Sequence, residues 1–432
     1  MLIPRSVLNF TGRGFFRRRD NLSELLQLKP EITLSQFDTV EKNNYLISFN
    51  NRNWKVSTIV YIICCQIKDA PATVEQLIEK KIGNIQLNEK CVNDVLEFLT
   101  SNGMLIGTEA KKSPEKRNRY LWARITILPT KAVEKFHFLS VLFKMPFFIL
   151  MSIIGITFFC LIMFTHSSKE VSATIQSLKL NDLLPFFVIV FLIGLFHEFG
   201  HSAALMHYNE TPRRIGVAVY FIMPVLFSDV TNAWKLKKWQ RCIVDIGGIY
   251  FQLMLSFILY VSNYFWLKIP LLETAVIFSM LEIINNLNPF IRMDGFWLVC
   301  DGLGITSPLS FIFALFTEPF RKKKNMQLQS FSTAYKVIIY TYAISTVIFL
   351  TYFFSVLVNS TRLALTYIVG DIQKLIYENE NISITFSTTA EYLSKRFTTF
   401  IILFFMIRLI IKGISALIKL FFNHKKALAT NK

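Results

Sequence analysis

Pro185-Phe-Phe-Val-Ile-Val-Phe-Leu-Ile-Gly194-Leu-Phe-His197-Glu198-Phe-Gly-His201 is the stretch on which the reading of this chain turns. Eleven residues after the proline carry no charge and no hydrogen-bonding side chain, and then three polar groups arrive within five positions. An apolar run of this kind belongs in a membrane, where about 20 such residues make one helical crossing. On a helix His197 and His201 are one turn apart and share a face. Both imidazoles can then reach one zinc ion, with Glu198 beside the metal site as a general base. A carboxylate deep in a span costs about 2.5–3.5 kcal/mol on insertion scales, so Glu198 calls for a function. The bland alternative is three polar side chains joined by hydrogen bonds at a helix interface.

Working outward, the rest of the chain supports a membrane protein. Hydrophobic residues make up 53% of the 432, charged residues only 18%, and mean hydropathy is +0.42. A soluble chain of that composition would expose too much apolar surface. The apolar runs predict about six spans, roughly 141–164, 184–206, 242–266, 273–290, 335–358 and 397–420. The predicted class is a mainly α, polytopic membrane helix bundle.

The net charge of +18 points either to nucleic acid or to the cytoplasmic face of a membrane. Its distribution favours the membrane. Arg213 and Arg214, Lys235 to Arg241, and Arg321 to Lys324 all lie just beyond apolar spans. With residues 1–138 inside, six spans return Lys425 and Lys426 to the same side, as they do the loops 207–241 and 291–334. That satisfies the positive-inside rule and predicts a multi-pass protein of the cell membrane with both termini cytoplasmic. Arg408 falls in the middle of the last span and must face a cavity or snorkel. Arg17 to Arg19 lead into a polar segment, unlike a signal peptide. The six cysteines show no zinc-ligand spacing and read as buried thiols.

Residues 1–138 read as a small α+β domain ahead of the spans. Tyr45 to Val56 alternates as a hairpin turning at Asn50-Asn51-Arg52-Asn53. A helix follows from Thr58, a second after Pro71 with Thr73 and Gln76 as a capping box, and a third runs from about Asn88 to Ser101. Two short strands, Met104 to Ile106 and Tyr120 to Leu128, complete a winged-helix-like pattern. The third helix carries Glu89, Asp94 and Glu97 against Lys90, a poor surface for a phosphate-lined groove. A peptide or protein partner is expected there, and no nucleic acid.

Residues 139–302 form the expected core, and 303–432 the C-terminal helices with an external loop. Within the core, Gly216 to Trp234 is apolar yet too short to cross twice as helix, and it contains Pro224, Ser228, Asp229 and Asn232. Irregular backbone at membrane depth must line protein or a water cavity, which predicts a re-entrant hairpin beside the site. Two histidines leave zinc short of a third protein ligand. The fourth span ends in Asn286-Leu-Asn-Pro289-Phe-Ile-Arg-Met-Asp294-Gly295. The second and fourth spans both run inward, which places Asp294 at the membrane face of the histidines and makes it the best third ligand.

Together these motifs resemble the site-2 protease family of intramembrane zinc metalloproteases. That family pairs His-Glu-x-x-His with Asn-x-x-Pro-x-x-x-x-Asp-Gly, which Asn286, Pro289, Asp294 and Gly295 match. The resemblance implies His197, His201 and Asp294 as zinc ligands, Glu198 as base and Asn286 as a polar helper at the scissile peptide. Over about residues 190–302 the chain is similar to a narrower branch that matures ribosomally made bacterial peptides. Tyr220-Phe-Ile-Met-Pro224-Val-Leu-Phe-Ser-Asp229-Val-Thr-Asn-Ala-Trp234, Arg241 and Gly247-Gly248 carry that likeness. Residues 39–128 resemble the leader-binding winged-helix domains found in that branch, and no PDZ domain lies between the spans. The implied activity is zinc-dependent intramembrane endopeptidase action on a membrane-associated peptide or membrane protein. Regulated cleavage of a membrane-anchored signalling factor is the enzymatic alternative. A catalytically silent receptor or immunity protein is the non-enzymatic one. Asp229, Arg292 and His207 are further polar residues near the site, with turn, headgroup anchor and interfacial side chain as their plain readings.

Overall fold

The computed structural model describes residues 25–39, 44–50, 52–79, 89–109, 121–166, 178, 180–220, 223–305 and 332–377. Arg17 to Arg19, Arg321 to Lys324, the expected span 397–420 with Arg408, and Lys425 and Lys426 lie outside the described residues. The chain divides into two compact units, residues 1–310 and 311–432.

The first unit begins with a three-stranded antiparallel sheet, β1 (Thr33–Gln36), β2 (Asn44–Phe49) and β3 (Arg52–Ser57), in that order. The hairpin expected over 45–56 is present, but its turn is tighter than the sequence implied. Phe49 pairs with Arg52, so only residues 50 and 51 connect the strands, and Asn50 takes a positive φ of 46°. Asparagine tolerates that conformation because its short side chain can bond locally. Strand β1 is an addition that no alternation announced.

Helices α1 (Thr58–Asp69), α2 (Val74–Glu79) and α3 (Glu89–Ser101) follow as expected. The capping box forms: Thr73 N donates to Gln76 Oε1 at 3.0 Å, and Gln76 N donates to Thr73 Oγ1 at 3.3 Å. Ile47, Trp54, Ile63, Leu77, Val95 and Leu99 meet in one apolar core. Cys64 belongs to it, and burial pushes its thiol up to about 12, as a structural cysteine should behave.

The two strands expected to close this region as a wing do not pair with each other. Leu105 makes an isolated bridge to Leu28. Strand β4 (Leu121–Pro129) instead pairs with β5 (Arg214–Tyr220), which continues into β6 (Met223–Ser228). The physical reason is a hydrogen-bond demand. By itself the hairpin β5–β6 would leave unpaired N–H and C=O groups along the β5 edge, and β4 satisfies them.

A short helix α4 (Thr130–Glu134) and a 3-10 turn (His137–Phe143) lead into α5 (Met145–Thr165). The remaining helices of this unit are α6 (Leu180–His207), α7 (Lys238–Ser262, extended by a π turn to Leu267), α8 (Pro270–Asn286) and α9 (Asp294–Leu303). Of these, α5, α6 and α7 with its extension are long and apolar enough to cross a membrane. Helix α7 is the central one: 56% of its most apolar stretch is buried, against 17% for α5 and 33% for α6. The expected span 273–290 is shorter than its apolar run implied. Helix α8 has 17 residues, about 25 Å at 1.5 Å per residue, and ends before Asn288-Pro289. Proline lacks the N–H and disfavours helix at the residue before it.

In the second unit, α10 (Thr333–Tyr377) contains the expected span 335–358 inside a longer helix. Residues 333–370 are apolar enough to cross a membrane, which brings the candidate spans among the described residues to four. Among the described residues the chain is therefore mainly helical, with four helices long and apolar enough to cross a membrane and two small sheets.

Candidate metal centre

Helices α6 and α7 cross with their backbones almost touching. A Cβ at Gly200 would strike the Gly247 carbonyl, and one at Gly247 would lie 2.8 Å from the Gly200 carbonyl oxygen. Small residues are what permit so close a crossing in a membrane bundle. The approach carries His197 and His201 into the middle of the bundle, 6% and 0% exposed. Gly248 forms the floor beneath them. A Cβ there would collide with Nε2 of both histidines, so only glycine leaves room for what they hold.

Asp294, the first residue of α9, closes the third side. Its Oδ2 lies 3.0 Å from His197 Nε2 and 3.4 Å from His201 Nε2, and the two Nε2 atoms are 3.2 Å apart. His197, His201 and Asp294 form the one group of three or more potential metal ligands among the described residues.

The other ring nitrogens determine what those Nε2 atoms are. His201 Nδ1 lies 2.7 Å from the Val244 carbonyl, which can only accept, so Nδ1 carries the proton. The Gln252 amide nitrogen donates to the Ser279 carbonyl at 2.8 Å. That turns Gln252 Oε1 toward His197 Nδ1 at 2.8 Å, and this Nδ1 must also donate. In neutral rings both Nε2 atoms then present lone pairs toward one another and toward the Asp294 carboxylate. Neutral imidazoles in this arrangement repel the carboxylate unless a positive charge, a proton or a metal ion, lies between them.

A cation resolves it. Tetrahedral zinc with ligands at about 2.0–2.1 Å sets them about 3.3 Å apart, close to the three separations seen here. The donor set of two imidazoles and one carboxylate is also that of a catalytic zinc site. Glu198 follows His197 on α6, is 6% exposed, and its Oε2 has no hydrogen-bond partner among the described residues. The residues present fit a zinc ion with a carboxylate alongside.

The sequence-predicted ligands are thus brought together. Asn286 ends α8 half-buried, and Asn288 caps the following turn by accepting from Phe290 N at 2.9 Å. Arg292 lies in the segment between Pro289 and Asp294. Asp229 is a turn residue, its Oδ1 accepting from Thr231 Oγ1 at 2.5 Å and its backbone pairing with Arg213 and Arg214. His207 ends α6 against Phe143 and Tyr208.

Sequence reasoning missed the parts that hold the site. Gln252 and the Val244 carbonyl on α7 orient the imidazoles, and Ser202 Oγ, next to His201, pairs with Ser228 Oγ on β6 at 2.8 Å. Glu282 on α8 lies within electrostatic reach of His197. The Gly247-Gly248 pair was the one available signal, as a stripe of small residues at a helix crossing.

Arg241, one turn below Val244 on α7, is fully buried. It donates to Asp301 at the end of α9, to the Leu236 carbonyl and to the Asp38 carbonyl, each at 2.9 Å, and lies over the Phe37 ring. The first unit's N-terminal sheet region is thereby joined to the helix that begins with Asp294. Asn53 adds a bond from β3 to the Thr231 carbonyl at 3.1 Å.

Comparison with known proteins adds one relative. The chain is 22% identical over 111 residues to a Bacillus subtilis (strain 168) protein named "Putative peptide zinc metalloprotease protein YydH". The match covers 25% of this chain and 44% of that protein, so the chain spans under half of the relative's length. No protein-family model matches the chain, and no solved structure matches it.

Proposed function

We propose that this protein is a zinc-dependent intramembrane endopeptidase of the site-2 protease type. The observation that carries the reading is the set of two Nε2 lone pairs and one carboxylate oxygen converging inside a membrane bundle, with the buried Glu198 beside them. The similarity to a protein named as a peptide zinc metalloprotease supports the same chemistry.

Zinc, when bound by His197, His201 and Asp294, supplies a Lewis acid that polarises a carbonyl and makes water more acidic. Glu198 takes the proton of the attacking water and returns it to the leaving amine. Asn286, at the end of α8, is the proposed donor to the developing oxyanion. The β5–β6 hairpin is tied to α6 through Ser228 and Ser202, next to His201, and this supports a role for the hairpin in holding an unwound substrate.

The substrate is proposed to be a membrane-associated peptide, matured by cleavage as in the branch that processes ribosomally made, bacteriocin-like peptides. Residues 39–128 would present such a peptide, given an α3 surface whose acidic residues disfavour nucleic acid. Arg213, Arg214, Lys235, Lys237 and Lys238 gather where α6 ends and α7 begins, which supports a cytoplasmic position for that end in the cell membrane.

The test compares wild type with Glu198→Gln in detergent, for zinc stoichiometry and for cleavage of a panel of membrane peptides. One zinc in both, with cleavage reduced about 10²–10⁴-fold in the variant, is the expected result. An intact fold that takes up no zinc would sink the metalloprotease reading. Zinc in both with cleavage in neither would move the weight to a silent receptor.

A further inference from the structure

Gln252 is assigned no role by the zinc-ligand motifs, yet among the described residues it makes the one side-chain hydrogen bond to the outer nitrogen of a ligand histidine. It stands on α7, 2% exposed, and touches two other helices through opposite ends of its amide. Its Nε2 donates to the Ser279 carbonyl on α8 at 2.8 Å, and its Oε1 accepts from His197 Nδ1 on α6 at 2.8 Å. The backbone acceptor on α8 removes the freedom of the amide to flip. One amide orientation therefore dictates one histidine tautomer.

From this geometry we infer that Gln252 is the positioning residue of the metal centre: it holds His197 with its proton on Nδ1 and its lone pair on Nε2. The inference rests on the zinc reading above and deepens it. A ligand histidine commonly donates its second N–H to a carboxylate or carbonyl, and loss of such a partner lowers metal affinity about 10–100-fold. His201 uses the Val244 backbone for this purpose, which no substitution can remove. His197 relies on a side chain and is the ligand whose orientation can be lost.

A second contact between the same helices makes the idea separable from packing. Ser256 Oγ lies 3.1 Å from Ser279 Oγ, joining α7 to α8 one turn beyond Gln252 without touching a ligand. Zinc affinity of the full-length protein in detergent, measured by chelator competition, and the visible spectrum of the cobalt(II)-loaded protein are to be compared across four forms. These are wild type, Gln252→Leu, Gln252→Glu and Ser256→Ala. Glutamate keeps an oxygen for His197 Nδ1 in either charge state, and leucine offers none.

The expected result is a zinc affinity about 10–100-fold weaker in Gln252→Leu, with an altered cobalt spectrum. Gln252→Glu and Ser256→Ala should both stay near wild type. Equal weakening in Gln252→Leu and Ser256→Ala would overturn the assignment in favour of helix packing. Wild-type affinity in Gln252→Leu, or no recovery in a folded Gln252→Glu, would overturn it as well. A wild type that binds neither metal would instead overturn the zinc reading beneath it, a distinct outcome.

Discussion

Helix α6 is one continuous helix whose two halves live in different surroundings. In its first half Leu184 is 73% exposed, Phe187 61% and Leu192 53%, as side chains meant for lipid. In its second half His201, Ser202, Ala203, Ala204 and Leu205 are all fully buried. Large apolar residues dominate the first half, whereas Gly194, His197, Glu198, Gly200, His201, Ser202, Ala203 and Ala204 bring small and polar side chains into the second. Lipid accepts any apolar shape, so the first half needs only hydropathy. The second half is packed against α7 at backbone contact, so each residue there answers to a particular neighbour. A membrane protein can thus place demanding chemistry on the same helix that anchors it, provided a glycine crossing separates the two tasks.

The sharpest way to test that division is at Gly248, on the α7 side of the fixed half. Gly248→Ala sets a methyl group against both Nε2 atoms and should abolish zinc uptake, with proteolysis lost in parallel. Metal content by mass spectrometry, alongside far-UV circular dichroism to confirm the fold, reads this directly. Gly200→Ala probes the crossing itself, where the added Cβ meets the Gly247 carbonyl. Overpacking of this kind should destabilise by about 1–3 kcal/mol, seen as unfolding at lower denaturant in detergent. Leu184→Ala, in the lipid-facing half, should change stability by under about 0.5 kcal/mol and leave zinc binding untouched. If Leu184→Ala proved as damaging as Gly200→Ala, the two halves would not differ as proposed.

The same contrast explains which parts of the protein could be read in advance. Hydropathy located α5, α6 and α7 because lipid imposes a single requirement over a long window. The helical spacing of His197 and His201 put both on one face, and the expectation that the second and fourth apolar runs point the same way placed Asp294 near them. The capping box at Thr73 and Gln76 was legible for a similar reason, since its partners are three residues apart. The wing expected from Met104–Ile106 and Tyr120–Leu128 failed at the first long-range choice. Strand β4 found its partner about 90 residues later, on the exposed edge of the hairpin.

Sequence by itself determined that this chain carries helices long and apolar enough to cross a membrane, that two histidines and a glutamate share a helix, and that an aspartate follows a proline-terminated helix. Local periods of 3.6 and 2 residues carry that much, because neighbouring side chains repeat at those spacings in any fold. Only the tertiary structure decided that Gln252 and Val244 would orient the imidazoles and that Gly248 would leave them room. It alone decided that Arg241 would join Asp38 to Asp301. Those contacts link residues 43 to 203 positions apart, and such pairings depend on how helices cross, which no local period records.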